Sequence, residues 1–445
     1  MEFIRNYKLE DYILNTRWED LPQEVRDRAR CCGIDLMTAL IIGSRGRQFE
    51  VGLSLAKNVY AGGDVAVLGR DETFSFAGAA VAMGHEANSF DIDDGHNMIK
   101  GHPGASFVAG ILAAALKEDI TYREFLTTLV IAYDVAVRTG LAMQDDYGFL
   151  HSTGAYGAVG TAAGVGRIFG LDRDSLNNAL SVADFHAPMT PVMRAVEYPS
   201  MNKDGVPFGT LIGVMAVIET MAGTTGKTYT LELDKYQSYL DTLGQDYEIM
   251  NLYFKPYTCC RWAHQPIKAG IDMMTEHGIS PEDIESVSVH TFQSAARLSK
   301  ITPHRADEAQ YNIAFPVAAA LVNGDLGFMQ VTEEGLGDPR VLDMMKRLTF
   351  LVDPEMDAQF PAKRLAWVEM KLKDGRTFKS QPYAAPGEAS DHVDMDWISE
   401  KFLRITKPAL QEAGQKDILS MLKEADDMPV REVVKRINGR LAERK

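Results

Sequence analysis

The densest group of ionisable side chains lies in one short segment, EANSFDIDDGHNMIKGHPGAS, between two apolar stretches. The ionisable residues of this segment beyond Phe90 are Asp91, Asp93, Asp94, His96, Lys100 and His102. Carboxylates and imidazoles this close repel one another or titrate unless some of them face a cleft, where they can transfer protons. Pro103 and Gly104 fix the backbone beyond His102 and hold its imidazole in place. We interpret the segment as a functional loop; the alternative is a solvated turn.

A second histidine, His151, stands at the start of a stretch of small residues, in the segment FLHSTGA. Ser152 or Thr153 can cap the helix predicted there, and the positive end of the helix dipole favours an anion nearby. Tyr147 precedes His151 by about one helical turn, so its side chain can reach the same pocket. The alternative is a lone surface histidine beside a helix cap.

Two lysines lie between apolar stretches, Lys203 in YPSMNKDGVPFG and Lys255 in LYFKPYTCCRWAHQP. Arg261 and His264 follow Lys255 closely. Taken singly, either lysine is also compatible with an ordinary surface position. Taken together, these cations suit a substrate with several carboxylates, because arginine binds a carboxylate through two hydrogen bonds and lysine acts as a point charge.

Three kinds of chemistry are open to these residues. The ligands of a metal hydrolase would be Asp91, Asp93, His96, His102 and His151. Carboxylates and imidazoles suit several divalent ions, but no HExxH or similarly specific spacing is present. A nucleophilic hydrolase is less favoured, because the chain has no GxSxG segment and Cys259 and Cys260 lack an obvious base. Proton transfer next to a carboxylate needs a base, an acid and cations for the developing enediolate, and the clusters supply all three.

The composition limits the classes of partner. The chain has 445 residues, with 46 Lys plus Arg against 62 Asp plus Glu and a net charge of −16, which argues against nucleic-acid or anionic-membrane binding. The N-terminal segment has no signal-peptide or transit-peptide character, and we expect no membrane span. The four cysteines form two adjacent pairs, which predicts reduced thiols. We therefore expect a cytoplasmic protein that acts on a small molecule.

Helical periodicity runs from Leu21 to about Gly226 and predicts a multilayered helical domain. A helix over Gln265–His277 then leads into β-branched segments, including a hairpin whose turn is Asp374-Gly375. From Asp396 onward the chain is helical again and is expected to pack back onto the first domain. The predicted fold is mainly α, with a helical domain over residues 1–261 and 394–445 and a smaller α+β domain over 262–393.

Together these segments resemble the MmgE/PrpD family, whose members include 2-methylcitrate dehydratase, cis-aconitate decarboxylase and iminodisuccinate epimerase. The resemblance covers nearly the whole chain. The matching motifs are the D-x-D-D loop followed by HPG (91–104), H-x-T-G (151–154), the lysine after S-M-x (203), the stretch from Lys255 to Cys260, and AQYNIAF (309–315).

The resemblance implies a large helical domain built from both chain ends, an α+β lid domain, a homodimer, and an active site in the cleft between the domains. It implies no metal and no organic cofactor. By matching motif, the catalytic residues would be Asp91 or Asp93, His102, His151, Lys203 and Lys255. His102 resembles the acid/base nearest the reacting carbon, the two lysines resemble carboxylate holders, and His151 resembles a second proton handler.

Three positions depart from the family pattern: Ser152 within the H-x-T-G motif, Val206 where a histidine usually follows the lysine, and Phe315 where an aromatic hydroxyl is common. We expect Arg261 to replace a lost contact to a carboxylate. The residues predicted to bind substrate are Tyr147, Arg261, His264 and Phe315.

The expected function is that of a lyase similar to 2-methylcitrate dehydratase. Such an enzyme abstracts a proton next to a carboxylate of a di- or tricarboxylic acid and eliminates water. An epimerase or a decarboxylase that uses the same site is the alternative. The sequence does not decide which of Asp91, Asp93 and Asp94 faces the cleft.

Overall fold

The computed structural model describes residues 6–444, and most of them are helical. The α-helices before residue 222 are α1 Lys8–Asn15, α2 Gln23–Gly43, α3 Arg47–Val59, α4 Phe76–Ala87, α5 Pro103–Glu118, α6 Tyr122–Asp146, α7 Thr153–Ile168, α8 Arg173–His186, α9 Met193–Glu197 and α10 Val206–Met221. The later α-helices are α11 His264–His277, α12 Gln293–Ala296, α13 Ala306–Gln310, α14 Ala314–Asn323, α15 Glu333–Leu336, α16 Pro339–Met345, α17 Pro354–Gln359, α18 Met395–Thr406, α19 Glu412–Glu424 and α20 Val430–Ala442. The mainly α fold predicted from the sequence is confirmed.

Strands are short outside one sheet. The strands are β1 Val65–Ala66, β2 Thr73–Phe74, β3 Gly95–His96, β4 Leu252–Tyr253, β5 Ile284–Thr291, β6 Leu348–Val352, β7 Leu365–Leu372, β8 Thr377–Lys379 and β9 Tyr383–Ala384. The first three interrupt the region that helical periodicity predicts to be helical throughout. Two-residue strands are too short to leave an alternating pattern in the sequence.

The central helices pack closely because small residues line their contacts. A side chain added at Gly209 of α10 would lie 2.6 Å from the Cα of Gly154 in α7, so these two helices meet backbone to backbone. Helix α6 is the one described helix long and apolar enough to cross a membrane, but 94% of its most apolar window is buried inside the protein. It is therefore placed as a core helix.

The α+β region contains the five-stranded sheet, in which β5 lies between β6 and β7, β7 also pairs with β8 and β9, and only the β5–β6 pair is parallel. Its register includes Val289 opposite Val368. The predicted hairpin is present, with Gly375 at φ 90°, a conformation that glycine adopts without steric cost. Helix α11 begins one residue before the predicted start and packs against β7.

The C-terminal helices return to the N-terminal ones, as expected. Helix α18 packs against α2, and Lys401 of α18 forms a buried ion pair with Asp35 of α2. Buried apolar side chains form two clusters, one drawing on residues 9–254 and 393–441 and the other mainly on 257–372. The domain limits themselves stay a prediction.

Candidate active site

A cavity of about 280 Å³ lies where the loop over residues 91–102 faces the α+β region. Its polar lining consists of Asp91, Lys100, His102, Asp204, Tyr253, Cys260, Arg261, Ser294, Tyr311 and Arg364. Its apolar lining, called here the apolar wall, consists of Leu150, Val192, Met193, Val196, Trp262, Phe360 and Pro361. Strands β3 and β4 pair antiparallel and so hold the loop beside the segment that carries Lys255.

The backbone around the cavity is strained. Asp91, Lys100 and Lys203 have φ values of 54°, 53° and 42°, and they are three of the six described non-glycine residues with positive φ. A side chain in this conformation costs on the order of 1–3 kcal/mol and persists only where the surrounding structure enforces it. The concentration of such residues here supports a functional role for the loop.

His102 occupies the N-cap of α5, and the proline that follows it starts the helix. The His102 backbone N–H donates to Oγ1 of Thr153 at 3.1 Å. The imidazole Nδ1 lies 3.0 Å from Oδ2 of Asp93. The other ring nitrogen, Nε2, lies 3.7 Å from Oδ1 of Asp91 and 3.5 Å from Oδ2 of Asp204. Three buried carboxylates therefore surround one imidazole.

This arrangement favours the protonated imidazole. Burial and the nearby Lys255 ammonium lower the pKa of His102, but the Asp93 and Asp91 carboxylates outweigh them, so the pKa lies above its ordinary value. Burial raises the pKa of Asp93, but His102 and Lys255 outweigh it and hold that pKa well below its ordinary value. We therefore infer that Nδ1 donates a proton to Asp93 and that Nε2 carries a proton toward the cavity.

Lys255 supplies the balancing positive charge. It is fully buried, and its Nζ lies 3.2 Å from Nδ1 of His102 and 3.2 Å from Oδ1 of Asp91, and donates to the Asp91 carbonyl at 3.1 Å. Burial alone lowers the pKa of Lys255, but Asp91 and Asp93 raise it above its ordinary value. Lys255, His102, Asp91, Asp93 and Asp204 are called the histidine cluster from here on.

The histidine cluster also contains the one described set of side chains that could ligate a metal. Ligand atoms of Asp91, Asp93 and His102 lie within 4.8 Å of one another. The Lys255 ammonium lies 3.2 Å from two of these residues, so a cation already occupies the neighbourhood that a metal would take. This geometry disfavours the metal-hydrolase alternative.

The other two histidines of the metal-hydrolase hypothesis, His96 and His151, do not line the cavity. Nε2 of His96 is 3.5 Å from Oε2 of Glu248. His151 is buried, with its ring nitrogens 3.2 Å from the Gly140 carbonyl and 3.4 Å from the Ser152 carbonyl. Burial lowers the pKa of His151. His151 does not line the cavity, and its proposed role as a second proton handler stays a prediction.

Lys203 approaches the same loop from another side. Its ammonium donates to the carbonyls of Asn88 and Ser89, the latter at 3.2 Å, and to Oε1 of Gln310 at 2.6 Å. Burial lowers its pKa. The ammonium thus binds protein acceptors rather than facing the main cavity, and its role as a carboxylate holder stays a prediction.

The four predicted substrate-binding residues lie in different surroundings. Arg261 lines the cavity, but its guanidinium donates to the carbonyls of Pro386 and Ala385 and forms an ion pair with Glu388. His264 and Phe315 are fully buried and do not line the cavity. Nε2 of His264 faces the Cys259 carbonyl at 3.0 Å.

The fourth predicted substrate-binding residue, Tyr147, is 45% exposed beside Phe149 and also lies outside the cavity lining. Of the three neighbouring aspartates, Asp91 lines the cavity and Asp93 binds His102. Asp94 instead accepts hydrogen bonds from the hydroxyl of Tyr133 and the N–H of Gly104.

The cavity residues that sequence reasoning missed include Asp204, Tyr311 and Arg364. Asp204 follows Lys203 directly, and its Oδ1 is buried without a hydrogen-bond partner. Tyr311 lies in the AQYNIAF motif, four positions before Phe315, and its hydroxyl is also buried without a partner. The AQYNIAF motif could have pointed to Tyr311, but the residue predicted within it from the sequence was Phe315 instead. Arg364 lies three positions after Pro361 in a loop, and no local motif identifies it as a site residue.

Comparisons with known proteins agree with the resemblance. The profile of the MmgE/PrpD N-terminal domain matches residues 7–249, and that of the MmgE/PrpD C-terminal domain matches residues 257–427. A cis-aconitate decarboxylase-like protein of Aspergillus oryzae is 22% identical, over 97% of this chain and 96% of that protein. A cis-aconitate decarboxylase of Aspergillus terreus is 21% identical, over 91% of this chain and 89% of that protein.

Proposed function

The chain belongs to the MmgE/PrpD family, and from this premise we propose that it is a lyase acting on a di- or tricarboxylic acid, similar to 2-methylcitrate dehydratase. It removes a proton from the carbon next to a carboxylate and eliminates water. The observation that carries the proposal is the imidazole of His102, which lines the cavity while three buried carboxylates and one buried ammonium fix its charge.

Two groups at the cavity divide the proton transfers. Asp204 accepts the proton from the substrate carbon, because its Oδ1 is unpaired and burial raises its pKa, which makes it a stronger base than an exposed aspartate. The electron pair of the broken C–H bond forms the C=C bond as the C–O bond breaks. The hydroxyl leaves as water after taking the Nε2 proton of His102.

The same pair restores itself after each turnover. Oδ2 of Asp204 lies 3.5 Å from Nε2 of His102, so the proton that the carboxylate has taken can return to the imidazole. No net proton is gained or lost, as elimination of water requires.

Decarboxylation is the second candidate, and one observation favours it. The Asp93 and Asp91 carboxylates beside His102 raise its pKa and so favour the imidazolium, which can protonate the carbon from which CO₂ departs. The relatives named cis-aconitate decarboxylase agree with this chemistry. In that reaction the C–C electron pair passes to the substrate, the carbon takes the His102 proton, and solvent returns one proton to the imidazole.

A panel of citrate-like, methylcitrate-like and aspartate-derived acids, followed by NMR in D₂O, separates the reactions. Dehydration gives an alkene, decarboxylation releases CO₂, and epimerisation gives a deuterated isomer of the substrate without an alkene. Absence of all three outcomes across the panel would overturn the proposed function.

A pair of variants tests the proposed acid/base role of His102. His102→Gln is expected to lower kcat by about 10²- to 10⁴-fold, the usual contribution of a positioned acid or base. His96→Gln in the same loop is the matched control, because His96 faces Glu248 outside the cavity, and its kcat should stay within about threefold of wild type. Equal activity of the two variants would remove His102 from the mechanism.

We also propose a homodimer that works without a cofactor, as the family resemblance implies, and a cytoplasmic location, as the composition and the cysteine pattern suggest. Sedimentation of the purified chain tests the dimer. Activity that survives chelation and dialysis supports the cofactor-free reaction. Stoichiometric metal whose removal abolishes activity contradicts it.

A further inference from the structure

One cation at the cavity makes no hydrogen bond or ion pair with a described protein group. Arg364 is half-buried and lines the cavity, yet its guanidinium makes no hydrogen bond or ion pair with the residues that the structure describes. Its Cζ lies 5.7 Å from the ring of Tyr253. Arg261 approaches the same ring, but its guanidinium is held by two carbonyls and Glu388. A guanidinium at a cavity that has no protein acceptor is suited to bind an anion.

Lys100 adds a second available charge beside Arg364. Its Nζ donates to the Asn97 carbonyl at 2.6 Å, which leaves two of its three donors free. The Glu388 carboxylate raises the pKa of Lys100, but both of its oxygens already accept hydrogen bonds, from Arg261 and Asn97. Among the described residues neither Lys100 nor Arg364 forms an ion pair, although the Glu388 carboxylate attracts both. These two residues are called the free cations.

The apolar wall forms another part of the cavity surface. Residues of the apolar wall come from three separate segments, around 150, 191–196 and 360, together with Trp262. Trp262 and Phe360 pack edge to face, with ring centroids 6.1 Å apart, so two aromatic side chains form this part of the wall. A substrate of carboxylates and hydroxyls alone would leave the wall without an apolar partner.

We propose that the substrate is a hydroxy derivative of a succinate-like acid that also carries an alkyl or aryl substituent larger than methyl. The free cations bind the carboxylate remote from the reacting carbon, and the apolar wall binds the substituent. This assignment rests on the proposed function, because His102 and Asp204 define where the reacting carbon lies.

Binding of unreactive acids tests the subsite apart from catalysis. Succinate, methylsuccinate, phenylsuccinate and benzylsuccinate have no hydroxyl group to eliminate, so calorimetry reports affinity alone. Burial of an aromatic substituent predicts that benzylsuccinate binds at least about tenfold more tightly than methylsuccinate. Equal affinities for these two acids would overturn the assignment of the apolar wall.

Arg364→Met tests the carboxylate subsite. Loss of a charge-assisted hydrogen-bonding partner is expected to weaken binding of both acids by about 10- to 100-fold. Lys363→Met is the matched control, because it removes the same charge one residue away from an exposed position outside the cavity lining, and its affinities should match wild type. Equal affinities in the two variants would overturn the role of Arg364.

A change in the wall tests the substituent. Val196→Thr should reduce the preference for benzylsuccinate to less than about threefold while methylsuccinate affinity changes little, because a hydroxyl in the wall opposes burial of an apolar group without adding a charge. Met193→Gln keeps the side-chain volume and should reduce the preference in the same direction if the first variant fails to fold. An undiminished preference in a folded variant would contradict the proposal.

The two levels of the proposal fail differently. Proton exchange in the D₂O panel without any effect of Arg364 or Val196 would overturn the subsite and leave the lyase. Binding that depends on both residues, without proton exchange in any acid of the panel, would overturn the lyase.

Discussion

The histidine cluster and the free cations differ in whether their charges are paired within the protein. In the histidine cluster, His102 forms ion pairs with Asp91 and Asp93, and Lys255 forms one with Asp91. All four side chains are buried, so each charge is fixed by its neighbours. The Arg364 guanidinium makes no hydrogen bond or ion pair with the described residues, and it borders an apolar wall. If the proposed function holds, this difference means that the proton-transfer groups are fixed before substrate binds, whereas the charge of Arg364 is balanced only by a carboxylate of the substrate.

The largest expected effect comes from breaking the buried cluster. Lys255→Met leaves the Asp91 and Asp93 carboxylates buried without their cation and should lower the free energy of unfolding by about 3–5 kcal/mol, measured by urea denaturation. Lys268→Met is the control, because the Lys268–Asp272 pair lies on the surface at 2.6 Å, and its loss should cost less than about 1 kcal/mol. Similar costs for the two variants would remove the distinction between fixed and free charge.

A smaller effect follows from changing one carboxylate of the cluster. Asp93→Asn removes the charge that raises the pKa of His102, so kcat should fall about tenfold or more and the alkaline limb of the pH–rate profile should move to lower pH. Asp94→Asn is the neighbouring control, because Asp94 binds Tyr133 and Gly104 instead of His102. A profile that shifts equally in both variants would contradict the Asp93–His102 pairing.

The free cations predict a pH dependence of binding. Burial, together with the charge of Arg364, lowers the pKa of Lys100 to about 8. Affinity for benzylsuccinate should therefore fall as the pH rises from 7 to 9, by up to about tenfold, because the ammonium loses its proton. Calorimetry on Lys100→Met should show weaker binding that no longer depends on pH in this range. Unchanged pH dependence in that variant would assign the titration to another group.

The smallest expected effect concerns stability and pH. Because the pKa of His102 is raised above its ordinary value of 6.5, its stabilising contribution is complete below that value and is lost as the pH rises through the folded pKa. The difference in free energy of unfolding between wild type and His102→Gln should therefore shrink from pH 6 to pH 9. A difference that grows over this range would mean that the folded protein favours neutral His102.

The sequence predicted the helical layers and the main strands correctly, because periodicity and turn residues are local signals. It also identified the loop that holds His102, since six ionisable residues lie close together there. It did not predict Arg364 or the unpaired state of Asp204, because neither has a local motif. His264 and Phe315 are close in sequence to residues that line the cavity, but their own side chains are buried and do not line it.

By itself the sequence determined the family, the mainly α fold and the kinds of group available for chemistry. Only the tertiary structure decided which groups meet: Lys255 contacts a histidine 153 residues earlier in the chain, and Asp93 turns toward that histidine while Asp94 turns away. The physical reason is that charge state and orientation depend on burial and on partners brought together by folding. Neither property can be read from the order of residues along the chain.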